Sequence, residues 1–252
     1  MSHFKPSIIC GHIQQPKVWL IDMDDTLYSA SANMFRQIDS AMTQYIQSTL
    51  KYDYDSANAL RMKYWKNYGV TYYGLWKHHG IDPHTFLTTT HKFIDTSNVN
   101  TTGDLRKALS RLPGKKILFT NAPDCFADKI LKQLNLSHFF DAQYRAEDMK
   151  VFGQWRPKPS VQMFRKILTT YNVKPQEVCL IDDGLNNLRT AKSVGIQTVL
   201  CKGWHHHGLN IARKISYVDA QISHIRDIPR ILYTPKTIER KHKRPVFLDP
   251  FN

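Results

Sequence analysis

The 252-residue sequence lacks any apolar run long enough to cross a membrane. A transmembrane helix needs about 18 or more consecutive apolar residues, whereas the strand-like apolar runs here, Val18–Ile21 and Val178–Ile181, are short. Near the start of the chain only Ile8–Cys10 forms an apolar patch, which is too short for the core of a signal peptide. We therefore expect neither a membrane span nor export.

Cysteine is also scarce. The four cysteines, Cys10, Cys125, Cys179 and Cys201, lie far apart and form no C-x-x-C pair. In a chain without an export signal such cysteines are typically reduced thiols. The predicted location is the cytoplasm.

Acidic residues are few relative to basic ones. Lys and Arg total 35 against 21 Asp and Glu, which gives a formal net charge of +14. A field of this sign attracts nucleic acid, acidic membranes and phosphorylated metabolites alike, so charge alone does not select the partner.

Strand and helix patterns alternate along most of the chain. A first strand over residues 17–21 precedes three stretches with helical spacing: 32–50, a stripe over 57–68, and a helix that begins at Asp82-Pro83. Strands over 116–120, 177–181 and 197–201 then alternate with helices. This order predicts an α/β fold, a doubly wound (Rossmann-like) parallel sheet with an inserted all-helical cap.

The predicted boundaries follow from these patterns. Residues 17–28 and 102–232 form the Rossmann-like core, residues 29–101 the helical cap, and residues 1–16 and 233–252 the terminal extensions. Within the cap, Tyr68–Trp76 places aromatic residues between glycines, and we expect a segment flexible enough to approach a ligand.

Three predicted strands end in polar residues that carry chemistry. These are Asp22 to Asp24, Thr120-Asn121, and Asp182-Asp183. Ligands of open parallel sheets bind beyond the carboxyl ends of the strands, where these residues should converge. Lys158 precedes a predicted helix and can reach the same edge.

This set of side chains suits phosphoryl transfer. Asp22 and Asp183, together with Asp24, offer the oxygen ligands that Mg²⁺ prefers. Asp182 is either a further ligand or a cap for nearby backbone N–H groups. Asp22 can attack phosphorus, and Asp24 can protonate the leaving oxygen and later deprotonate water. Thr120 and the backbone amide of Asn121 would hold phosphoryl oxygens, and Lys158 would balance charge.

Some of these residues, and other polar segments of the chain, allow a second interpretation. A calcium loop at Asp22 would need Gly and Glu at its sixth and twelfth places, where Leu27 and Asn33 stand. Lys150 is a rival for the role of Lys158. His205-His206-His207 favours a solvated loop, because three consecutive imidazoles cannot all face one ion. The basic tail from residue 234 onward favours a solvated extension over a nucleic-acid arm.

The motifs resemble those of the haloacid dehalogenase superfamily. Asp22-Met23-Asp24-Asp25-Thr26-Leu27 matches its first motif D-x-D-x-T-L, and Thr120-Asn121, Lys158 and Asp182-Asp183 match the other three in order. The segments 19–28, 68–75 and 79–83 resemble the pyrimidine 5'-nucleotidase-like branch. Two residues depart from the expected pattern. Tyr73 stands where the cap signature has an arginine, and Asn187 stands where many members of the superfamily have an aspartate.

The resemblance implies a magnesium-dependent phosphomonoesterase that forms an aspartyl-phosphate. The expected partner is a small phosphorylated metabolite, with a nucleoside 5'-monophosphate as the leading candidate and Tyr72 and Tyr73 as substrate-binding rings. The alternatives are a sugar-phosphate phosphatase or a phosphomutase of the same superfamily. Dehalogenase chemistry is disfavoured because it does not need the second acid Asp24, and nucleic-acid binding because carboxylates oppose a polyanion.

Overall fold

The computed structural model describes residues 10–30, 32–97, 99, 101, 104–202 and 215–232. Its helices are α1 Ala32–Leu50, α2 Tyr54–Tyr68, α3 Thr71–His79, α4 Pro83–His91, α5 Leu105–Arg111, α6 Asp124–Leu134, α7 Val161–Thr170 and α8 Leu185–Ser193. Its strands are β1 Cys10–Gly11, β2 Val18–Ile21, β3 Lys115–Phe119, β4 Ala142–Tyr144, β5 Lys150–Val151, β6 Gln154–Trp155, β7 Val178–Asp182, β8 Gln197–Cys201 and β9 Ala220–Ile222. The triple histidine 205–207 and the basic tail lie outside the described residues.

The main sheet confirms the predicted α/β architecture. Its order is β1-β9-β8-β7-β2-β3-β4, and all neighbours are parallel except the short edge strand β1. Ile21, the last residue of β2, pairs with Leu118 of β3 on one side and Ile181 of β7 on the other. The register therefore brings the carboxyl ends of these three strands to one edge of the sheet.

Both faces of the sheet are covered, which explains why its central strands are apolar throughout. Side chains alternate along a strand, so Trp19 and Ile21 of β2 pack on one face with α5 and α6, while Val18 and Leu20 pack on the other with α7 and α8. All four residues of β2 are buried. Helices on both faces make the sheet doubly wound.

The insertion between β2 and β3 is helical, as the sequence predicts. The carboxylate of Asp53 accepts a hydrogen bond from the Ser56 N–H (2.9 Å) at the start of α2. Asp82 does the same for Thr85 (2.8 Å) at the start of α4. Helices α1 to α4 share a third apolar cluster that includes Trp155 of the core, so the insertion packs directly against the sheet domain.

The expectation of a flexible segment over Tyr68–Trp76 is wrong. Residues Thr71–His79 form α3, and Gly74 lies inside this helix. A β-carbon at Gly74 would lie 2.2 Å from the Tyr64 ring, so glycine permits close packing of α3 on α2 rather than flexibility. No described helix is long and apolar enough to traverse a bilayer.

Candidate active site

The polar residues that follow β2, β3 and β7 meet at the carboxyl edge of the sheet. Asp22 continues the ladder, because its N–H donates to the Ile181 carbonyl at 3.0 Å. The Thr120 N–H donates to the Tyr144 carbonyl at 3.0 Å, which anchors the neighbouring segment in the same way. Asp182 is itself the last residue of β7. Backbone pairing thus fixes the positions of the three segments.

A buried ammonium group joins two of these segments. The Nζ atom of Lys158 lies 2.5 Å from Oδ1 of Asp22 and 2.9 Å from Oδ2 of Asp182. Exposed fractions are 2% for Lys158, 7% for Asp22 and 0% for Asp182. The two carboxylates hold the pKa of the ammonium above its ordinary value, against the opposing effect of burial. Lys158 is therefore charged, and it balances part of the negative charge of the cluster.

The lysine is held in place by its backbone. The side-chain Oδ1 of Asn121 accepts from the Lys158 N–H at 2.9 Å, and Asn121 Nδ2 donates to the Lys158 carbonyl at 3.0 Å. The Asn121 side chain is thus committed to positioning Lys158. Thr120 is buried, and its hydroxyl oxygen accepts the Ala122 N–H at 3.1 Å, which orders the turn after β3.

Asp182 has partners for both of its oxygens. Oδ2 faces Lys158, while Oδ1 accepts from the Gly184 N–H at 2.8 Å and from Asn187 Nδ2 at 2.9 Å. This geometry matches the backbone-capping alternative for Asp182. It also gives Asn187 a function at this position, since its amide donates where an aspartate would repel the neighbouring carboxylate.

Three carboxylates form a cluster that fits a divalent cation. One oxygen from each of Asp22, Asp182 and Asp183 lies within 4.8 Å of the others. Burial raises the pKa of Asp183 to about 9, with a further increase from the charge of Asp22. Burial likewise raises the pKa of Asp22 to about 7, although Lys158 opposes this shift. Hard oxygen ligands crowded in this way suit Mg²⁺, whose charge would offset their repulsion.

Asp24 lies outside that three-carboxylate cluster. The Tyr28 hydroxyl donates to Asp24 Oδ1, and Tyr28 is fully buried. Burial raises the pKa of Asp24, and both Tyr28 and Lys158 oppose that shift. Next to it, Asp25 adopts a left-handed backbone (φ 55°), and its carboxylate accepts the Ala30 N–H at 2.9 Å. Asp24 nevertheless lies close enough to the cluster for its charge to raise the pKa of Asp22.

A cavity of about 1230 Å³ adjoins the cluster at Asp183. We call it the aromatic groove. It is lined by Trp65, Lys66, Asn67, Tyr68, Gly69, Tyr73, Trp155, Arg156, Pro157, Pro159, Ser160, Val161, Gln162, Asp183, Gly184, Leu185, Asn186, Asn187, Arg189, Thr190 and Tyr217. Cap and core both contribute walls, so the groove runs between them.

The two tyrosines predicted to bind substrate occupy different environments. Tyr73 is half-buried and lines the groove. Tyr72, in contrast, is 2% exposed and packs edge-on against Trp155 at a centroid distance of 5.9 Å. The helix explains the difference, because consecutive residues of α3 point about 100° apart. Tyr72 therefore belongs to the packed cap interior in this structure, which departs from the expectation of an open ring.

Three contributors to the site were not predicted from the sequence. Tyr28 and the side-chain role of Asn121 depend on contacts that a linear pattern does not encode. Arg156 lines the groove, and its Nη1 donates to the Tyr73 hydroxyl at 3.5 Å across the cap–core boundary. Its place two residues before Lys158 was the available signal, because residues that flank a catalytic group along the chain often share its cavity.

Comparison with known proteins identifies a family and several relatives of this chain. A model of the haloacid dehalogenase-like hydrolase family matches residues 16–195. "Phosphate metabolism protein 8" of Saccharomyces cerevisiae is 27% identical over 248 residues, which cover 89% of this chain and 76% of that protein. "Glyceraldehyde 3-phosphate phosphatase" of Pyrococcus furiosus is 25% identical over 246 residues, 90% and 94% of the two chains.

Solved structures with the same fold include both phosphatases and dehalogenases. A HAD phosphatase from Thermococcus onnurineus has a TM-score of 0.57 at 18% identity and covers 85% of this chain and 97% of its own. The L-2-haloacid dehalogenase from Xanthobacter autotrophicus, with chloropropionic acid covalently bound, has a TM-score of 0.51 at 15% identity, with coverages of 85% and 97%. The family match extends over most of the chain and includes all four motifs of the site, and the chain belongs to the haloacid dehalogenase-like hydrolase family.

Proposed function

We propose that this hydrolase is a magnesium-dependent phosphomonoesterase that acts through an aspartyl-phosphate on nucleoside 5'-monophosphates. The observation that carries the proposal is the buried ammonium of Lys158 between Asp22 and Asp182, with Asp183 in the same cluster. A carboxylate fixed beside a cation is suited to attack an anionic ester, because the positive charge offsets the repulsion between nucleophile and substrate.

The reaction proceeds in two displacements. A free oxygen of Asp22 attacks phosphorus, the bond from phosphorus to the ester oxygen breaks, and Asp24 donates a proton to the leaving alcohol. Water then attacks the phosphoryl group and transfers a proton to Asp24, the bond from Asp22 to phosphorus breaks, and inorganic phosphate is released. Tyr28 holds the Asp24 carboxyl group in position during both steps.

The residues that would hold Mg²⁺ are Asp22 and Asp183, with Asp182 oriented toward Lys158. When bound, the cation supplies positive charge that lowers the repulsion between the carboxylates and a phosphate ester. Asp24 contributes its acid function from outside the cluster. Asn121 acts indirectly, because it fixes the backbone from which Lys158 reaches Asp22.

The aromatic groove supports a nucleotide as the substrate. Tyr73, Tyr68 and Trp65 present rings beside the site, and aromatic side chains stack on the planar face of a base. A sugar-phosphate phosphatase is the second candidate. It is favoured by the similarity to a protein named glyceraldehyde 3-phosphate phosphatase.

The deciding experiment measures phosphate release by the purified full chain. Substrates would be a nucleoside 5'-monophosphate, glyceraldehyde 3-phosphate and an aryl phosphate, each with Mg²⁺ or with EDTA, and Asp22→Asn would serve as the matched inactive control. We expect turnover with Mg²⁺ alone, and a higher kcat/KM for the nucleotide than for glyceraldehyde 3-phosphate. Activity that survives exhaustive chelation would contradict the metal assignment, and a preference for the triose phosphate would favour the second candidate.

A further inference from the structure

The aromatic groove is larger than a single nucleoside requires. Its volume of about 1230 Å³ exceeds the roughly 300–1,000 Å³ of typical ligand pockets. The part that adjoins Asp183 would be taken by the phosphoryl group and the metal. Space therefore remains for a further group on the substrate.

The charges that line the groove are predominantly positive. Lys66, Arg156 and Arg189 line it, whereas Asp183 is its one lining carboxylate among the described residues. Asp183 also belongs to the three-carboxylate cluster, where a cation would neutralise it. A concave surface with this balance concentrates anions.

Arg156 presents unused hydrogen-bond donors from a fixed position. Its backbone N–H donates to the Met149 carbonyl at 2.6 Å, and its Nη1 donates to the Trp155 carbonyl at 2.9 Å. Within the described part of the chain, Nε and Nη2 have no hydrogen-bond partner, and no carboxylate pairs with the guanidinium. Arg156 as a whole is half-buried, and a guanidinium held in this way can bind an anion with little loss of side-chain freedom.

Arg189 is fixed by a ring rather than by the backbone. Its guanidinium lies over Tyr217 at 4.8 Å from the ring centroid, and Nη2 donates to the Tyr217 hydroxyl at 3.3 Å. No carboxylate of the described residues forms an ion pair with it. An exposed arginine on a surface is ordinarily solvated, but stacking on an aromatic ring restricts this one to the wall of the groove.

We propose that Arg156 and Arg189 form an anion subsite in the aromatic groove, so that the preferred substrate is a nucleotide with a second anionic group beyond the phosphoryl that is hydrolysed. The inference rests on the proposed phosphomonoesterase function. Arg156 links this subsite to the catalytic lysine, because it lies two residues before Lys158 and contacts Tyr73 of the cap. The second anionic group is part of the leaving group, so its contact with the two arginines selects which leaving groups bind at the junction of cap and core.

The test compares substrates that differ only by one anionic group. A nucleoside 5'-monophosphate would be compared with the 3',5'-bisphosphate of the same nucleoside, and a sugar monophosphate with its bisphosphate. Initial rates of 5'-phosphate release give KM and kcat, with products identified by chromatography. Because a charge-assisted contact is worth a factor of ten or more, we expect the KM of the nucleoside bisphosphate to be about tenfold lower than that of the monophosphate.

Variants separate the subsite from general electrostatics. Arg156→Gln and Arg189→Gln should each reduce this preference and together abolish it. Arg156→Lys should retain part of it, because the charge remains while the fork of donors is lost. Arg165→Gln is the matched control, since it removes the same charge from an exposed residue outside the groove and should leave the preference intact.

The possible failures are distinguishable. Equal KM values for the mono- and bisphosphate in both the nucleoside pair and the sugar pair, or a preference that persists in the double variant, would overturn the subsite. Turnover of aryl phosphate without turnover of any nucleotide would contradict the proposed nucleotidase function instead. A preference found only with the sugar bisphosphate would support the subsite and reject the nucleotide as its ligand.

Discussion

Replacing Lys158 with methionine tests the charge balance at the centre of the site. Methionine approximates the length of the side chain but removes the ammonium that lies 2.5 Å from Asp22 and 2.9 Å from Asp182. Breaking a buried ion pair costs about 3–5 kcal/mol, since the remaining charge is left without compensation. One ammonium here serves two buried carboxylates, so we expect a loss near the upper value, about 5 kcal/mol.

The assay is equilibrium unfolding in urea in the presence of EDTA, so that no cation replaces the lysine. Lys132→Met is the matched control, because Lys132 is exposed on α6 and should tolerate the same substitution within about 0.5 kcal/mol. The Lys158→Met variant should also be catalytically inactive, because it lacks the positive charge that balances the attacking carboxylate. Activity with Mg²⁺ and stability with EDTA are therefore measured on separate portions of the same preparations.

A second substitution identifies charge as the cause. In the Lys158→Met background, Asp182→Asn should restore part of the lost stability, because it neutralises a carboxylate that has lost its cation. Asp182→Asn alone should destabilise the protein, since Lys158 then loses a partner. Such opposite effects define a coupling between the two residues. The reasoning about buried charge is refuted if Lys158→Met lowers the free energy of unfolding by less than about 1 kcal/mol. It is also refuted if Asp182→Asn lowers the stability of the Lys158→Met variant further.

Three further predictions concern other parts of the chain. Asp24→Asn should slow turnover of a nucleotide by about 10²–10⁴-fold but turnover of an aryl phosphate much less, because a good leaving group needs little protonation. Equal losses in kcat for the two substrates would contradict an acid role for Asp24. Burial lowers the pKa of His91 to about 4 from 6.5, so the neutral form favours folding above pH 6.5 and this stability is lost as the pH falls toward 4. The loss is about 3 kcal/mol, and urea unfolding of His91→Gln should show a flatter pH dependence across this window, whereas an unchanged slope would refute the assignment. Gly74→Ala should destabilise the protein by about 1–3 kcal/mol despite a better helix propensity, because its β-carbon would meet the Tyr64 ring at 2.2 Å; a raised melting temperature would show that α2 and α3 separate at little cost.

The sequence alone determined the framework of the fold and the positions of its reactive residues. The helix over 32–50 and the strand over 197–201 coincide with α1 and β8, because each carries a long periodic or apolar pattern that reports burial directly. The strands β4 and β9 were missed, since three residues are too few for a pattern. The order of the four motifs along parallel strands also sufficed to predict that Asp22, Thr120 and Asp182 converge.

Only the tertiary structure determined which partner each of these side chains contacts and therefore which role it has. The commitment of Asn121 to the Lys158 backbone, and of Asp182 to Lys158 and Gly184, depends on distances between segments far apart in the chain. The helical state of α3 was hidden because Gly74 ordinarily disfavours a helix, and here the packing against Tyr64 outweighs that preference. Local patterns report whether a residue is buried, whereas the partner it meets is set by how the helices and strands pack together.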